Sequence, residues 1–253
     1  ENSSVLTQHL GLVLAMLGAV AAEWYGHLTT LGGGLGAWGS ATMQKALHVL
    51  ANGSASLICG VLSLASWRFV SSEMQGGQIL AYGMPVWWIQ ATLPLGFALL
   101  AIKLGARCFT ATWLKVAAGL YLPLAGFVLA ARLDGTALPL WPLTIWLLAI
   151  LLAGAPIFAV LGGLALALFW QDALPLASIA LSHYQITVNP SLPALPLFTL
   201  AGLIFARTGA AQRLGTVFVA LFSGGVTGTV CAAAVLCSFF TAFTGGSGVT
   251  ILA

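Results

Sequence analysis

Charged residues are so sparse in this chain that they cut it into windows close to the length a helix needs to cross a bilayer. A crossing takes about 20 apolar residues, and residues 2–22, 74–102, 135–171 and 214–253 carry no charge at all. Only eight Lys or Arg and five Asp or Glu stand in 253 residues, 5% of the chain where a soluble domain has about 25%. That is too little charge to cover a water-facing surface, and the class that remains is an all-α, polytopic transmembrane protein. The net charge of +3 is spread over isolated basic residues without a run or stripe, so nucleic acid is excluded as a partner.

The windows predict the spans. A first covers roughly residues 4 to 25, ending at Glu23 and His27. The Gly-rich run Leu31-Gly32-Gly33-Gly34-Leu35-Gly36 is costly inside a helix and reads as a turn. A second span starts near Met43, with Lys45 at the membrane boundary, and ends at Arg68. The third lies within Met74–Ile102, with Pro85 opening the helix and Trp87 and Trp88 at the level of the headgroups. It closes on Lys103 and Arg107, which with Lys115 put three basic residues within thirteen, so the loop 104–114 is expected in the cytoplasm. Residues 113–131 form a fourth span closed by Arg132 and Asp134, and Leu138 to Trp170 reads as a fifth. The mixed segment 173–191 reads as an interfacial or re-entrant helix, a sixth span leads from Leu195 to Arg207, and Arg213 opens a short apolar stretch to Phe222. Strict alternation then puts 207–213 outside, against the two arginines there.

Few residues offer chemistry. Glu23 and His27 share a helix face and read as a solvated pair, and His183 beside Tyr184 reads as an interfacial anchor. The four histidines, His9, His27, His48 and His183, are scattered, and the four cysteines form no CxxC pair and read as small apolar packers. Asn2-Ser3-Ser4 and Asn52-Gly53-Ser54 fit the glycosylation pattern by chance. The stretch after Val226 differs. A helix from Val226 to Phe243 is expected to break at Thr244-Gly245-Gly246-Ser247-Gly248 and restart at Val249. Irregular backbone at membrane depth is tolerated only where it is buried or lines a cavity. Such a break either exposes carbonyls that hold an ion, as in transporters, or makes a small-residue packing contact. The chain starts at Glu1 without an initiator Met and stops three residues past Thr250 in an apolar run, so a piece of a larger polypeptide is expected, with a second hairpin arm beyond Ala253.

The string Cys237-Ser238-Phe239-Phe240-Thr241-Ala242-Phe243-Thr244-Gly245-Gly246-Ser247-Gly248-Val249-Thr250 resembles the first re-entrant hairpin of the large membrane subunit of tripartite ATP-independent periplasmic (TRAP) transporters. Leu195-Pro196-Leu197-Phe198-Thr199-Leu200-Ala201-Gly202, Arg207-Thr208-Gly209 and Arg213-Leu214 resemble the segment leading to it, and Ala155-Pro156-Ile157-Phe158 resembles the start of that subunit. Phe222-Ser223-Gly224-Gly225 is shorter than the family's stretch there and lacks its Pro. Upstream, Gln8-His9-Leu10, Ser66-Trp67-Arg68-Phe69, Pro85-Val86-Trp87-Trp88-Ile89 and Pro94-Leu95 are similar to the last three helices of the small subunit.

The resemblance implies three regions: 1–110 small-subunit-like with its first helix missing, 111–137 a connecting transmembrane helix, and 138–253 the truncated N-terminal part of a large-subunit-like transport region. It implies no enzyme. It implies a permease of the bacterial inner membrane that imports an organic acid with sodium by an elevator-type movement, taking its substrate from a periplasmic binding protein. Sodium would be held by Thr244, Gly245, Gly246, Ser247 and Gly248, with Ser247 and Thr250 on the substrate, and no cofactor beyond the coupling ion is implied. The rival reading is a structural membrane subunit with no ion or substrate site of its own.

Overall fold

The computed structural model describes residues 2–31, 40–80, 83–189, 191, 194–222 and 225–244. These divide into two compact units, Glu1–Val188 and Asn189–Ala253. Both are helical, and among the described residues the only β pairing is two isolated bridges.

The first unit opens with α1 (Asn2–Trp24) and α2 (Ala41–Gly76), then α3 (Val86–Gln90), α4 (Thr92–Arg107) and α5 (Thr112–Leu133). Four stretches in them are long and apolar enough to cross a membrane: Leu6–Trp24, Ala41–Gly76, Val86–Arg107 and Thr112–Leu133. The third crossing begins at Val86 because Pro85 caps it, as expected. The residues before it turn back on themselves, with the Leu80 amide donating to the Met84 carbonyl at 2.7 Å and the Val86 amide to the Gln78 carbonyl at 3.1 Å. The Gly-rich turn lies outside the described residues from Gly32 onward.

Two expectations are corrected. The second helix does not end at Arg68 but runs to Gly76, 36 residues, where Gly77 at φ 62° stops it in a conformation that suits glycine. The charge is no barrier because Arg68 pairs with Asp134. The expected fifth span is not one helix but a hairpin of α6 (Leu140–Leu152) and α7 (Ile157–Gln171). The turn Ala153-Gly154-Ala155-Pro156 makes the difference: Gly154 sits at φ 93°, and Pro156 cannot continue a helix and caps the next one instead. The Ile157 amide donates to the Thr29 carbonyl at 3.0 Å, tying this turn to the loop after α1.

α2 is the centre of this unit. Two thirds of its apolar window is buried, 67% against 22% for the first and fourth crossings. It is rich in small residues, and it meets α5 through them: a Cβ on Gly60 would lie 2.5 Å from the Pro123 carbonyl oxygen, and one on Gly126 would collide with the carbonyl of Leu57. Such contacts suit membrane helices, whose association rests on close packing and interhelical hydrogen bonds rather than on exclusion of water. The hydroxyls follow the same rule. Ser56 donates to the Ala101 carbonyl at 2.7 Å and Ser63 to the Pro94 carbonyl at 3.0 Å, fastening α2 to α4. Cys59 and Cys108 are buried packers as expected, while Cys231 and Cys237 are exposed.

α8 (Ala177–Thr187) closes the first unit in the segment read as interfacial or re-entrant. Its Ala180 packs with Leu12, Met16, Phe69 and Leu93, so it lies against α1, α2 and α4. In the second unit α9 (Ala194–Arg207), α10 (Ala210–Leu221) and α11 (Gly225–Thr244) pack on one another. At 14 residues α9 is shorter than the full crossing expected there, since 14 residues of helix rise only about 21 Å.

Candidate functional site

α11 extends from Gly225 to Thr244, within one residue of the helix expected before the break. It is uncharged, and two of its hydroxyls bond within the helix: Thr229 donates to the Gly225 carbonyl at 3.0 Å and Ser238 to that of Ala234 at 2.8 Å. Thr244 is the last residue of this helix and the first of the run where the sequence places the break. Gly245, Gly246, Ser247, Gly248 and Thr250, and the side chain of Thr244, lie outside the described residues.

Three polar ties join the helices of the first unit. The first corrects the expectation for Glu23. It does not form a solvated pair with His27; its carboxylate is fully buried and ion-paired with Arg107, Nε to Oε1 at 2.7 Å. Nη2 of the same guanidinium donates to the Glu23 carbonyl, so the fork holds both the acid and a free carbonyl at the end of α1. His27 instead stacks on Tyr25, ring centroids 6.4 Å apart. Beside the pair, Lys103 Nζ sits 3.4 Å from the centroid of the Trp24 ring, a cation–π contact. These residues border a cavity of about 410 Å³ with Phe109, Thr110 and Lys115.

The second tie is Asp134 after α5. One carboxylate oxygen pairs with Arg68 of α2 and the other accepts the Leu176 amide at 2.9 Å. One residue thereby fixes the end of the fourth crossing, the central helix and the approach to α8.

The third joins α8 to α1. The Tyr184 hydroxyl and His9 Nε2 share a hydrogen bond of 2.6 Å, and Phe69 lies 5.6 Å from the Tyr184 ring. Burial pushes the Tyr184 hydroxyl above its ordinary pKa; Gln90 beside it works against this and the charge of Glu73 adds to it. Gln90 is fully buried, and neither of its amide atoms has a formed hydrogen bond. His183 stands edge-on to Phe97 at 5.9 Å, an aromatic contact rather than a ligand. Among the described residues no three His, Cys, Asp or Glu side chains converge on a point that could hold a metal ion.

What the arrangement can do is hold helices rigidly. Glu23 and Asp134 lie at or just past helix ends and are paired there with Arg107 and Arg68. A substrate path would instead ask for intramembrane charges facing a water-filled space. Residues 3–112 match a family described as the DctQ component of tripartite ATP-independent periplasmic transporters. That segment is similar to the DctQ component. The family match bears out the small-subunit resemblance, covers α1 to α4 and ends at the first residue of α5. No curated protein and no solved structure matches the chain.

The chain is therefore a multi-pass membrane protein carrying a transporter component. Spacing in sequence points to none of its polar ties. Glu23 and Arg107 are 84 positions apart, and His9 and Tyr184 are separated by 175. The only local signal was the rarity of charge itself, since a buried Glu in an apolar chain needs a partner.

Proposed function

We propose that this chain is the membrane permease of a sodium-coupled tripartite importer of an organic acid, with small and large parts joined in one polypeptide. One observation carries the reading. The DctQ segment ends at residue 112, and the chain continues directly into a further crossing, Thr112–Leu133, that packs on the same central helix. A small subunit that ends in the cytoplasm needs one such crossing to deliver a following large subunit from the periplasmic side. The segment from 138 then contributes the large-subunit part. In it Thr244, Gly245, Gly246, Ser247 and Gly248 hold sodium through backbone carbonyls and hydroxyls, and Ser247 and Thr250 touch the substrate carboxylate.

Chemistry supports that assignment, because no carboxylate stands between Arg213 and Ala253. A cation held there must be bound by neutral oxygens, and glycines let carbonyls turn inward without a side-chain clash. In this reading the DctQ segment is the scaffold against which the transport part moves, the acid reaches it from a periplasmic binding protein, and the assembly sits in a bacterial inner membrane. The rival, a purely structural subunit, is favoured by the paired charges and close helix contacts of unit 1.

The two readings separate in proteoliposomes containing the intact polypeptide, its binding protein and a panel of radiolabelled carboxylic acids. Import proposes uptake of at least one acid that needs both sodium and the binding protein. No uptake of any acid, or uptake equal in potassium medium, would favour the structural reading.

Sidedness has its own test. Gly105 is a poor labelling position, because a Cβ there would lie 2.7 Å from the Ala118 carbonyl oxygen. Ala111 and Ala137 are exposed and flank α5. With the native cysteines replaced, Ala111→Cys is expected to resist a membrane-impermeant maleimide in intact cells, and Ala137→Cys to react. Labelling in the opposite sense would invert the topology and remove the reason for a connecting crossing.

A further inference from the structure

We propose that the cavity bordered by Trp24, Lys103, Arg107, Phe109, Thr110 and Lys115 binds the headgroup phosphate of an anionic phospholipid. Three cations and one acid meet there. Arg107 is committed to both the carboxylate and the carbonyl of Glu23, and with three cations to one acid the cavity keeps a net positive charge carried by Lys103 and Lys115. Neither forms a salt bridge among the described residues. Lys103 is held at the rim by its contact with the Trp24 ring, which orders the ammonium without neutralising it. An ammonium is a compact point charge suited to a phosphate, and the Thr110 hydroxyl adds a neutral donor.

A lipid fits better than a free anion because the cavity opens onto lipid-facing helix surface. On α4 and α5, next to the lysines and a further turn along each helix, Leu99, Ile102, Val116 and Leu120 are all at least 40% exposed. Acyl chains laid along them place the glycerophosphate at the level of Lys103 and Lys115, with the Trp24 and Phe109 rings at the depth that aromatic side chains favour. Basic pockets between transmembrane helices are known to take anionic headgroups. The cavity lies where α1, α4 and α5 meet, so the lipid would clamp the DctQ segment to the crossing that follows it.

Native mass spectrometry of the intact protein, titrated with dioctanoyl phosphatidylglycerol, tests this. One phosphatidylglycerol is expected to bind, with phosphatidylcholine much weaker. Lys103→Gln/Lys115→Gln should weaken it about thirtyfold, and Lys115→Gln alone, at an exposed position that does not threaten folding, about fivefold. Lys45→Gln, a basic residue on the neighbouring helix outside the cavity, should leave binding unchanged, and millimolar inorganic phosphate should not displace the lipid. Three results would each overturn the proposal. They are equal binding by Lys115→Gln and wild type, an equal loss in Lys45→Gln, which would mean a general basic surface, or displacement by phosphate, which would mean a free-anion site.

Discussion

Replacing Arg107 with methionine is expected to lower the stability of the purified protein by about 2–4 kcal/mol, because it leaves the Glu23 carboxylate buried without its counter-charge. Glu23 is fully buried while the Arg107 side chain is 41% exposed, so water reaches the site in the variant and the loss falls below the upper end of that range. The double variant Glu23→Gln/Arg107→Met removes the charge as well as its partner and should recover more than half of the loss. Denaturant unfolding of wild type, both single variants and the double variant gives the coupling directly. Losses that simply add would show that the two residues do not meet, and that the junction of α1 with α4 is held by apolar contact alone.

Gly126→Val is expected to be as damaging, by about 3 kcal/mol or more, since the new side chain meets backbone rather than a flexible neighbour. A Cβ at Gly126 collides with the Leu57 carbonyl, and on the facing helix one at Gly60 would stand 2.5 Å from that of Pro123. Neither carbonyl can rotate away without breaking its helix, so α2 and α5 must separate. Gly18→Ala is the matched control, because nothing lies within 4 Å of a Cβ there. It should be neutral or slightly stabilising through better helix propensity. Thermal unfolding in detergent reads both. A wild-type transition for Gly126→Val would mean that the crossing after the DctQ segment is not packed against α2, and the case for a joined scaffold would weaken.

The crossings were legible because charge in a membrane chain is costly and falls at boundaries. That rule marked the four long spans, while Pro85 marked the start of the third and the Gly run after Thr244 the end of α11. It failed where a charge finds a distant partner: Arg68 looked like an end, yet α2 continues past it because Asp134, just past the end of α5, neutralises it. The hairpin at 153–156 was written in the sequence as Gly154 followed by Pro156, but hydropathy runs through both residues and hid the turn. Glu23 was misassigned for a related reason. Its i+4 neighbour His27 lies beyond the end of α1, and the group that satisfies it comes from the end of α4. Local spacing reports faces of one helix, whereas the polar ties here join helices far apart in the chain. For the ion site the position is reversed, since Gly245 to Thr250 speak only through their residue types and the absence of any acid nearby.

The most direct test of that site is the sodium dependence of uptake by the intact polypeptide carrying Ser247→Ala. Loss of one oxygen ligand worth about 1.4 kcal/mol raises the sodium concentration for half-maximal uptake about tenfold. Gly246→Val, which blocks the inward turn of the carbonyls, should abolish uptake altogether. If Ser247→Ala leaves the sodium dependence where it is in the wild type, the break at Thr244 to Gly248 is a helix-packing contact and the coupling ion is bound elsewhere.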